Sequence, residues 1–225
     1  MAHYLARVLR LRAGDAFVAF DPATGREADA TTVRAEPDAL TVRFGSLREG
    51  ATRSPLEITL IQGLAKGDKC DAVVRDATEL GATRVIVATT RRSVVKLDAA
   101  RGAERQARWA RIAQEASRQC GRADVPAIDA PCAWAQAIAR VSDGAARFVL
   151  WEQASEPLGP PLFTALSGGV PLAFACGPEG GLEQAEVDAA REQGWAVVSV
   201  GPLALRTETV AAAVLGAVRV WSGLR

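Results

Sequence analysis

Five short apolar-rich runs, all but the first without polar alternation, constrain this chain more than any other feature. They are Leu56–Ile61, Val85–Ala88, Arg147–Trp151, Pro171–Cys176 and Ala196–Val200. A strand with one solvated face alternates, whereas a strand covered on both faces does not, and the second pattern belongs to a parallel sheet flanked by helices. The segments between the runs supply those helices. Behind the loop Gly63-Leu64-Ala65-Lys66-Gly67, the apolar residues Cys70, Val73, Val74, Ala77 and Leu80 recur at helical spacing. Asp68 is expected to cap that helix, with Asp71 in its first turn and Gly81 ending it. A long helix is expected from near Ala100 to Cys120, burying Trp109, Ile112, Ala113, Ala116 and Cys120, and a shorter one over Trp134–Val141. Glu183–Gln193 and Thr207–Trp221 complete the helices, the last with Val210, Val214, Val218 and Trp221 on one side.

The first fifty residues read differently. Gly14-Asp15 and Asp21-Pro22-Ala23-Thr24-Gly25 punctuate short apolar pieces such as Ala16–Phe20, and Leu40–Phe44 alternates. Only Tyr4–Leu11 suggests a helical turn. A small β-barrel packs such pieces well. Arg48 to Pro55 is polar and contains Gly50 and Pro55, which marks a linker. The chain is therefore expected to divide into a small β-domain, 1–54, and an α/β domain, 55–225.

Composition excludes several classes. Apolar residues make up 49% and charged residues 24%, with no uncharged apolar stretch long enough to span a bilayer. The N-terminus carries Arg7 early and has no apolar core, so a signal peptide is not expected and a cytoplasmic location is. Cys70, Cys120, Cys132 and Cys176 are scattered without a Cys-x-x-Cys pair, and His3 is the sole histidine. Reduced cysteines and no metal site follow. The net charge of +1 conceals a division: residues 84–122 hold ten basic and three acidic side chains, and 123–225 hold six and eleven. The basic stretch is either a phosphate footprint or a solvated helix face.

Two loops follow apolar strands and open onto helices. One is Cys176-Gly177-Pro178-Glu179-Gly180-Gly181-Leu182; the other is Val200-Gly201-Pro202-Leu203-Ala204-Leu205-Arg206-Thr207-Glu208-Thr209. Glycines let backbone N–H groups approach a ligand, and Thr207 is placed to cap the last helix. Ligands of open α/β sheets bind at such loops. Neither is a Gly-x-Gly-x-x-Gly fingerprint or a P-loop, which argues against a dinucleotide or nucleoside triphosphate. One loop alone reads equally as a structural turn; two on successive strands suggest a shared pocket.

These stretches resemble a known family. Phe174-Ala175-Cys176-Gly177-Pro178-Glu179-Gly180-Gly181 and Leu205-Arg206-Thr207-Glu208-Thr209-Val210-Ala211 are similar to the C-terminal signature of the SPOUT methyltransferases, in particular the branch acting on N3 of a uridine in 16S ribosomal RNA. Ala77-Thr78-Glu79-Leu80-Gly81, Arg91-Arg92-Ser93-Val94-Val95 and Arg108–Gln119, continuing into Gly121-Arg122 and Val125-Pro126, resemble the same branch, as do His3-Tyr4-Leu5 and Arg7–Arg10. The family carries a further segment ahead of the one matching His3, so the resemblance implies a PUA-like β-barrel short of its first strand. It also implies a trefoil-knotted parallel-sheet domain, an exception to unthreaded topology. The methyl donor S-adenosyl-L-methionine (SAM) would be held, without metal, by Leu150, Trp151 and Glu152, by Cys176, Gly177, Glu179 and Gly180, and by Val200, Gly201, Leu205, Arg206 and Thr207. The partners implied are 16S rRNA, in an assembled or assembling small subunit, and a second copy of the chain, with Trp109 and Trp221 near the dimer contact.

Methylation at N3 asks a protein to position the base in line and to assist loss of its proton. Arg206 is the candidate for stabilising charge on the uracil carbonyls. Glu208 either accepts the proton or complements the helix N-terminus. Arg7, Arg10, Arg91, Arg92, Arg118 and Arg122 are the candidate RNA contacts. Other readings are a relative acting on tRNA ribose or a guanine, an RNA-binding protein without catalysis, and a small-molecule enzyme using the glycine loop for phosphate.

Overall fold

The structure, a computed structural model, describes residues 4–21, 24–36, 39–50, 52, 54 and 56–223. His3, Pro22, Ala23, Arg53 and Pro55, on which the barrel match, one turn and the linker partly rest, lie outside the described residues. The chain forms two compact units, Met1–Arg53 with Gly121–Asp124, and Ser54–Cys120 with Val125–Arg225.

In the first unit a π-helical turn at Tyr4–Val8 precedes β1 (Ala16–Asp21), β2 (Arg26–Ala35), β3 (Leu40–Phe44) and β4 (Arg48–Glu49). All pairings are antiparallel, with β2 between β1 and β3 and β4 also on β2. The described strands thus make a four-stranded antiparallel sheet. β2 buries Ala28, Ala30 and Thr32 at every second position, then bulges between Thr32 and Arg34. Arg48 clips β4 to β2: Nη1 and Nη2 donate to Asp29 at 2.8 and 2.9 Å, and Nε donates to Glu27 at 3.0 Å. The hydrogen bonds and charge of Arg48 hold the Asp29 carboxyl below its ordinary range.

The expected boundary left Gly121–Asp124 in the second domain, whereas the contacts place it in the first unit. Ala123 N–H donates to the Thr52 carbonyl at 2.9 Å, and a Cβ on Gly50 would fall 2.0 Å from the Ala123 Cβ. That close approach is tertiary, and no local pattern announces it.

The second unit contains β5 (Ile58–Gly63), α1 (Lys69–Glu79), β6 (Arg84–Thr89), α2 (Ala99–Cys120), β7 (Ala127–Ile128), β8 (Cys132–Ala133), α3 (Trp134–Ala139), β9 (Ala146–Leu150), α4 (Gly159–Gly168), β10 (Leu172–Cys176), α5 (Gln184–Glu192), β11 (Ala196–Val198) and α6 (Thr207–Trp221). Every apolar run became a strand, and every pairing is parallel. The order is β11-β9-β10-β5-β6-β7, with β8 also on β6. β5 and β10, at the middle, are buried at every position, so even the polar Thr59 and Gln62 of β5 are enclosed. One face of the sheet packs on α1, α2, α4 and α6, and the other on α3 and α5.

Three local expectations need correction. Asp68 occupies the N-cap of α1 but makes no side-chain cap bond. Helix α4 is not among the expected elements; Pro160 and Pro161 occupy its first turn, where the missing N–H groups have no helical partner to lose. Trp109 is fully buried, its indole N–H donating to Asp71 at 2.9 Å. It belongs to the core of its own unit and is not available as a dimer contact.

Candidate active site

The sheet order places the C-terminal ends of β11, β9, β10 and β5 side by side. Chain leaving those ends is where open α/β sheets bind ligands. The three loops singled out in the sequence leave from β9, β10 and β11, and they line one cleft of about 470 Å³. Leu150, Trp151 and Glu152 form one part of its wall, Cys176, Gly177, Glu179 and Gly180 a second, and Val200, Gly201, Leu205, Arg206 and Thr207 a third. Glu208 and Lys69 also line it.

Behind the lining lies a buried polar cluster. Gln62, fully buried at the end of β5, donates from Nε2 to Thr207 Oγ1 at 2.7 Å and to its neighbour's carbonyl, Gly63 O, at 2.9 Å. Thr207 Oγ1 donates in turn to Gly177 O at 2.6 Å. The Cys176 thiol donates to Gln62 Oε1 at 3.1 Å, and burial pushes that thiol up to about 12. Thr207 therefore does not cap α6, as its type suggested; Arg206 is the N-cap, and the Thr207 hydroxyl ties the helix start to the glycine loop. Close backbone approach needs the glycines here. A Cβ on Gly177 would sit 2.8 Å from Gly181 C, and one on Gly63 would sit 2.4 Å from Pro178 N.

The rim is charged. Glu179 accepts the Lys66 backbone N–H at 3.0 Å and faces Lys69 Nζ at 3.1 Å. Partial burial raises its carboxyl, but backbone hydrogen bonds from Glu179 and Lys66 and the Lys69 ammonium outweigh that and hold it below its ordinary range. Glu208 Oε2 is buried without a hydrogen-bond donor among the described residues, with Lys69 Nζ at 3.9 Å. Arg206 is exposed at the mouth. Sequence reasoning missed Lys69 and Gln62. The signal was present: the loop after β5 also leaves the C-terminal edge of a central strand, so the rule that selected the other loops selects it too.

The six candidate RNA contacts are not equivalent. Arg7 and Arg10 are exposed in the first unit, where Arg10, Arg12 and Arg34 line an open groove of about 500 Å³. Arg118 is partly buried on α2. Arg122 is only 5% exposed, and Asp124 accepts its guanidinium at 3.0 and 2.8 Å, so it cannot present a free charge as expected. Arg91 and Arg92 belong to the surroundings of the cleft. The backbone N–H of Arg91 donates to the buried carboxylate of Glu186 at 2.8 Å, and Arg92 Nη1 donates to Gly180 O at 3.0 Å. A Cβ on Gly180 would meet Arg92 Cβ at 3.2 Å, so this glycine packs closely against Arg92. The basic stretch is also partly neutralised by carboxylates from outside it: Asp129 pairs with Arg84 at 2.7 Å and Asp71 with Arg108 at 2.5 Å.

Comparison with known proteins agrees with this arrangement. Residues 52–219 match the family described as an RNA methyltransferase domain, and residues 2–45 match the RNA methyltransferase PUA domain. A ribosomal RNA small subunit methyltransferase E from Bacillus subtilis is 31% identical over 96% of this chain and 86% of its own length. One of the same name from Mycobacterium tuberculosis is 34% identical over 96% of this chain and 82% of its own. The crystal structure of a ribosomal RNA small subunit methyltransferase E from Neisseria gonorrhoeae bound to S-adenosyl methionine superposes with a TM-score of 0.86 at 28% identity, covering 96% of this chain and 87% of that one. With its parallel α/β core, its small N-terminal β-domain and its loop-lined cleft, this chain belongs to the RNA methyltransferase family.

Proposed function

We propose that this protein transfers a methyl group from SAM to N3 of a uridine in 16S ribosomal RNA of the small subunit, in the bacterial cytoplasm and as a homodimer. One observation carries the reading: three loops from adjacent strand ends converge on a single cleft whose mouth holds Arg206 and Glu208. The names of the relatives supply the RNA. The trefoil threading of the C-terminal elements and the RNA-binding role of residues 1–54 belong to the same proposal.

The cleft fits the cofactor. Leu150, Trp151 and Leu205 offer apolar surface for a purine, the glycine loop offers backbone groups at close approach, and Glu152 and Glu179 put negative charge at the rim for a cationic ligand. When bound, SAM supplies an electrophilic methyl carbon on a sulfonium, with a neutral thioether as leaving group. The residues of the chain must do the rest. The uracil N3 proton has to leave as the N3–C bond forms and the C–S bond breaks. Glu208, whose Oε2 has no hydrogen-bond donor among the described residues, is the candidate to take it. Arg206, at the mouth, is placed to offset negative charge on the flanking carbonyls. The base reaches the cleft only once unstacked, which costs a few kcal/mol. Lys69 pairs with Glu179 at 3.1 Å and lies 3.9 Å from Glu208 Oε2, so it steadies the first carboxylate and sets positive charge beside the second.

Calorimetric titration with SAM and separately with ATP tests the cofactor, and mass-mapping rRNA from a strain lacking the gene tests the substrate. The reading requires SAM binding and loss of one uridine methyl group. An unchanged rRNA methylation map would remove the substrate assignment.

A further inference from the structure

Gln62 is a buried side-chain amide on a strand, and besides its neighbour Gly63 it contacts the end of β10, the glycine loop and the start of α6, all distant in sequence. Its Nε2 donates to Thr207 Oγ1 at 2.7 Å and to Gly63 O at 2.9 Å, and lies 3.4 Å from Gly177 O; its Oε1 receives the Cys176 thiol at 3.1 Å. Thr207 Oγ1 spends its single proton on Gly177 O at 2.6 Å, so it must accept from Gln62. The amide thus fixes the direction of the threonine hydroxyl, and the hydroxyl fixes the glycine loop. With one cross-link the first turn of α6, which carries Arg206 and Glu208, is held against the loop that carries Gly177 and Gly180.

We infer that Gln62 is a positioning residue for methyl transfer: it sets the separation between the glycine loop and the start of α6 by orienting Thr207, without itself touching cofactor or RNA. A fully buried amide costs stability unless each of its groups is paired, so a residue placed only to fill the core here would be apolar. An isosteric apolar side chain fills the space but leaves the hydroxyl unoriented. Catalytic geometry is sensitive to such changes, because a shift of about 1 Å in a supporting group costs on the order of a hundredfold in rate.

The inference rests on the cleft being the SAM site, and the experiment separates the two. SAM affinity and single-turnover methyl transfer are measured for wild type, Gln62→Met, Thr207→Val, Thr207→Ser and the double variant Gln62→Met/Thr207→Val, at a temperature where near-ultraviolet dichroism shows each folded. Gln62→Met and Thr207→Val should each weaken SAM binding by about tenfold and slow transfer by about a hundredfold. The double variant should resemble Thr207→Val alone, since both act through one hydroxyl. Thr207→Ser, which restores the hydroxyl, should recover most of the loss, a rescue that a packing role would not give. If wild type does not bind SAM, the cleft reading fails. If wild type binds and folded Gln62→Met matches it in affinity and rate, the inference fails alone. Should Gln62→Met not fold, Thr207→Val decides, and wild-type behaviour there overturns the inference.

Discussion

Glycines 177 and 180 look alike in the sequence but meet different neighbours in the fold. An added Cβ at Gly177 runs into backbone, 2.8 Å from Gly181 C and 3.0 Å from Leu182 N, so the loop itself must open. At Gly180 the nearest atom is Arg92 Cβ at 3.2 Å, so a shift of the Arg92 segment by a few tenths of an ångström, rather than opening of the loop, would make room. Gly177→Ala should therefore weaken SAM binding by about tenfold or more, and Gly180→Ala by only a few-fold. Calorimetry on both variants checks the order, and the reverse order would relocate the contact surface. Arg206 makes a second residue-scale prediction. It is exposed at the cleft mouth, so Arg206→Ala should leave SAM and RNA binding within a few-fold and lower the single-turnover rate by about two orders of magnitude. These positions were legible in the sequence because glycine and arginine types announce themselves after a strand. Gln62 was not, because one polar residue in an apolar run looks the same whether it cross-links two loops or simply ends a strand.

At the scale of elements, legibility followed burial. Strands β5 and β10 are buried at every position; β10 is legible from an unbroken apolar run, and β5 from an apolar-rich run that also holds Thr59. Helix α1 was equally plain, with Cys70, Val73, Val74 and Ala77 all buried on one side. Helix α4 is hard to see in the sequence because Gly159, Pro160 and Pro161 open it and Gly168 and the left-handed C-cap Gly169 close it, which leaves a short interior with only Leu162 and Ala165 buried. Thr207 was misassigned as a cap because propensity describes what a hydroxyl does when nothing else claims it; here Gln62 and Gly177 do. Helix α2 combines both cases. Trp109 was expected in the core, and it is, but its indole also donates to Asp71, which Arg108 engages through two nitrogens at 2.8 and 2.5 Å. Asp71 thereby joins α1 to α2. Trp109→Phe should cost about 1–3 kcal/mol, from the lost hydrogen bond and the vacated volume. Urea unfolding measures this, and a midpoint unchanged from wild type would mean that Asp71 is fully satisfied by Arg108 alone.

For the whole molecule, the linear charge count was the weakest guide, because folding redistributes charge. Residues 84–122 carry a large basic excess in the sequence, yet Asp71, Asp124, Asp129 and Glu183, all outside that stretch, face arginines within it. Apolar exposure, conversely, emerges only after folding: Val220 is 76% exposed and Trp221 55% on α6. If that surface is shared by two copies, light scattering at micromolar concentration gives twice the chain mass and Trp221→Glu returns it to one, whereas a monomeric wild type removes the dimer from the proposal. The same redistribution changes which arginines should govern RNA affinity. Each guanidinium that neutralises a phosphate releases condensed counterions, so affinity falls with salt in proportion to the number of such contacts. A guanidinium already held by a carboxylate must break that pair first and contributes little. Arg122, with Asp124, is of that kind. Arg10 and Arg12 line an open groove and form no ion pair among the described residues, and Arg118 forms none on α2. Replacing Arg10 and Arg118 together by Ala should flatten the salt slope of RNA binding by roughly one to two units. Arg122→Ala should leave the slope unchanged. Arg92→Ala should behave in a third way, weakening SAM binding even without RNA, because its guanidinium holds Gly180 O. Filter binding at several salt concentrations, paired with SAM titration in the absence of RNA, separates the three. A wild-type slope in the Arg10/Arg118 variant would place the RNA on other residues, and a wild-type SAM affinity in Arg92→Ala would show that the bond to Gly180 does not shape the cofactor loop.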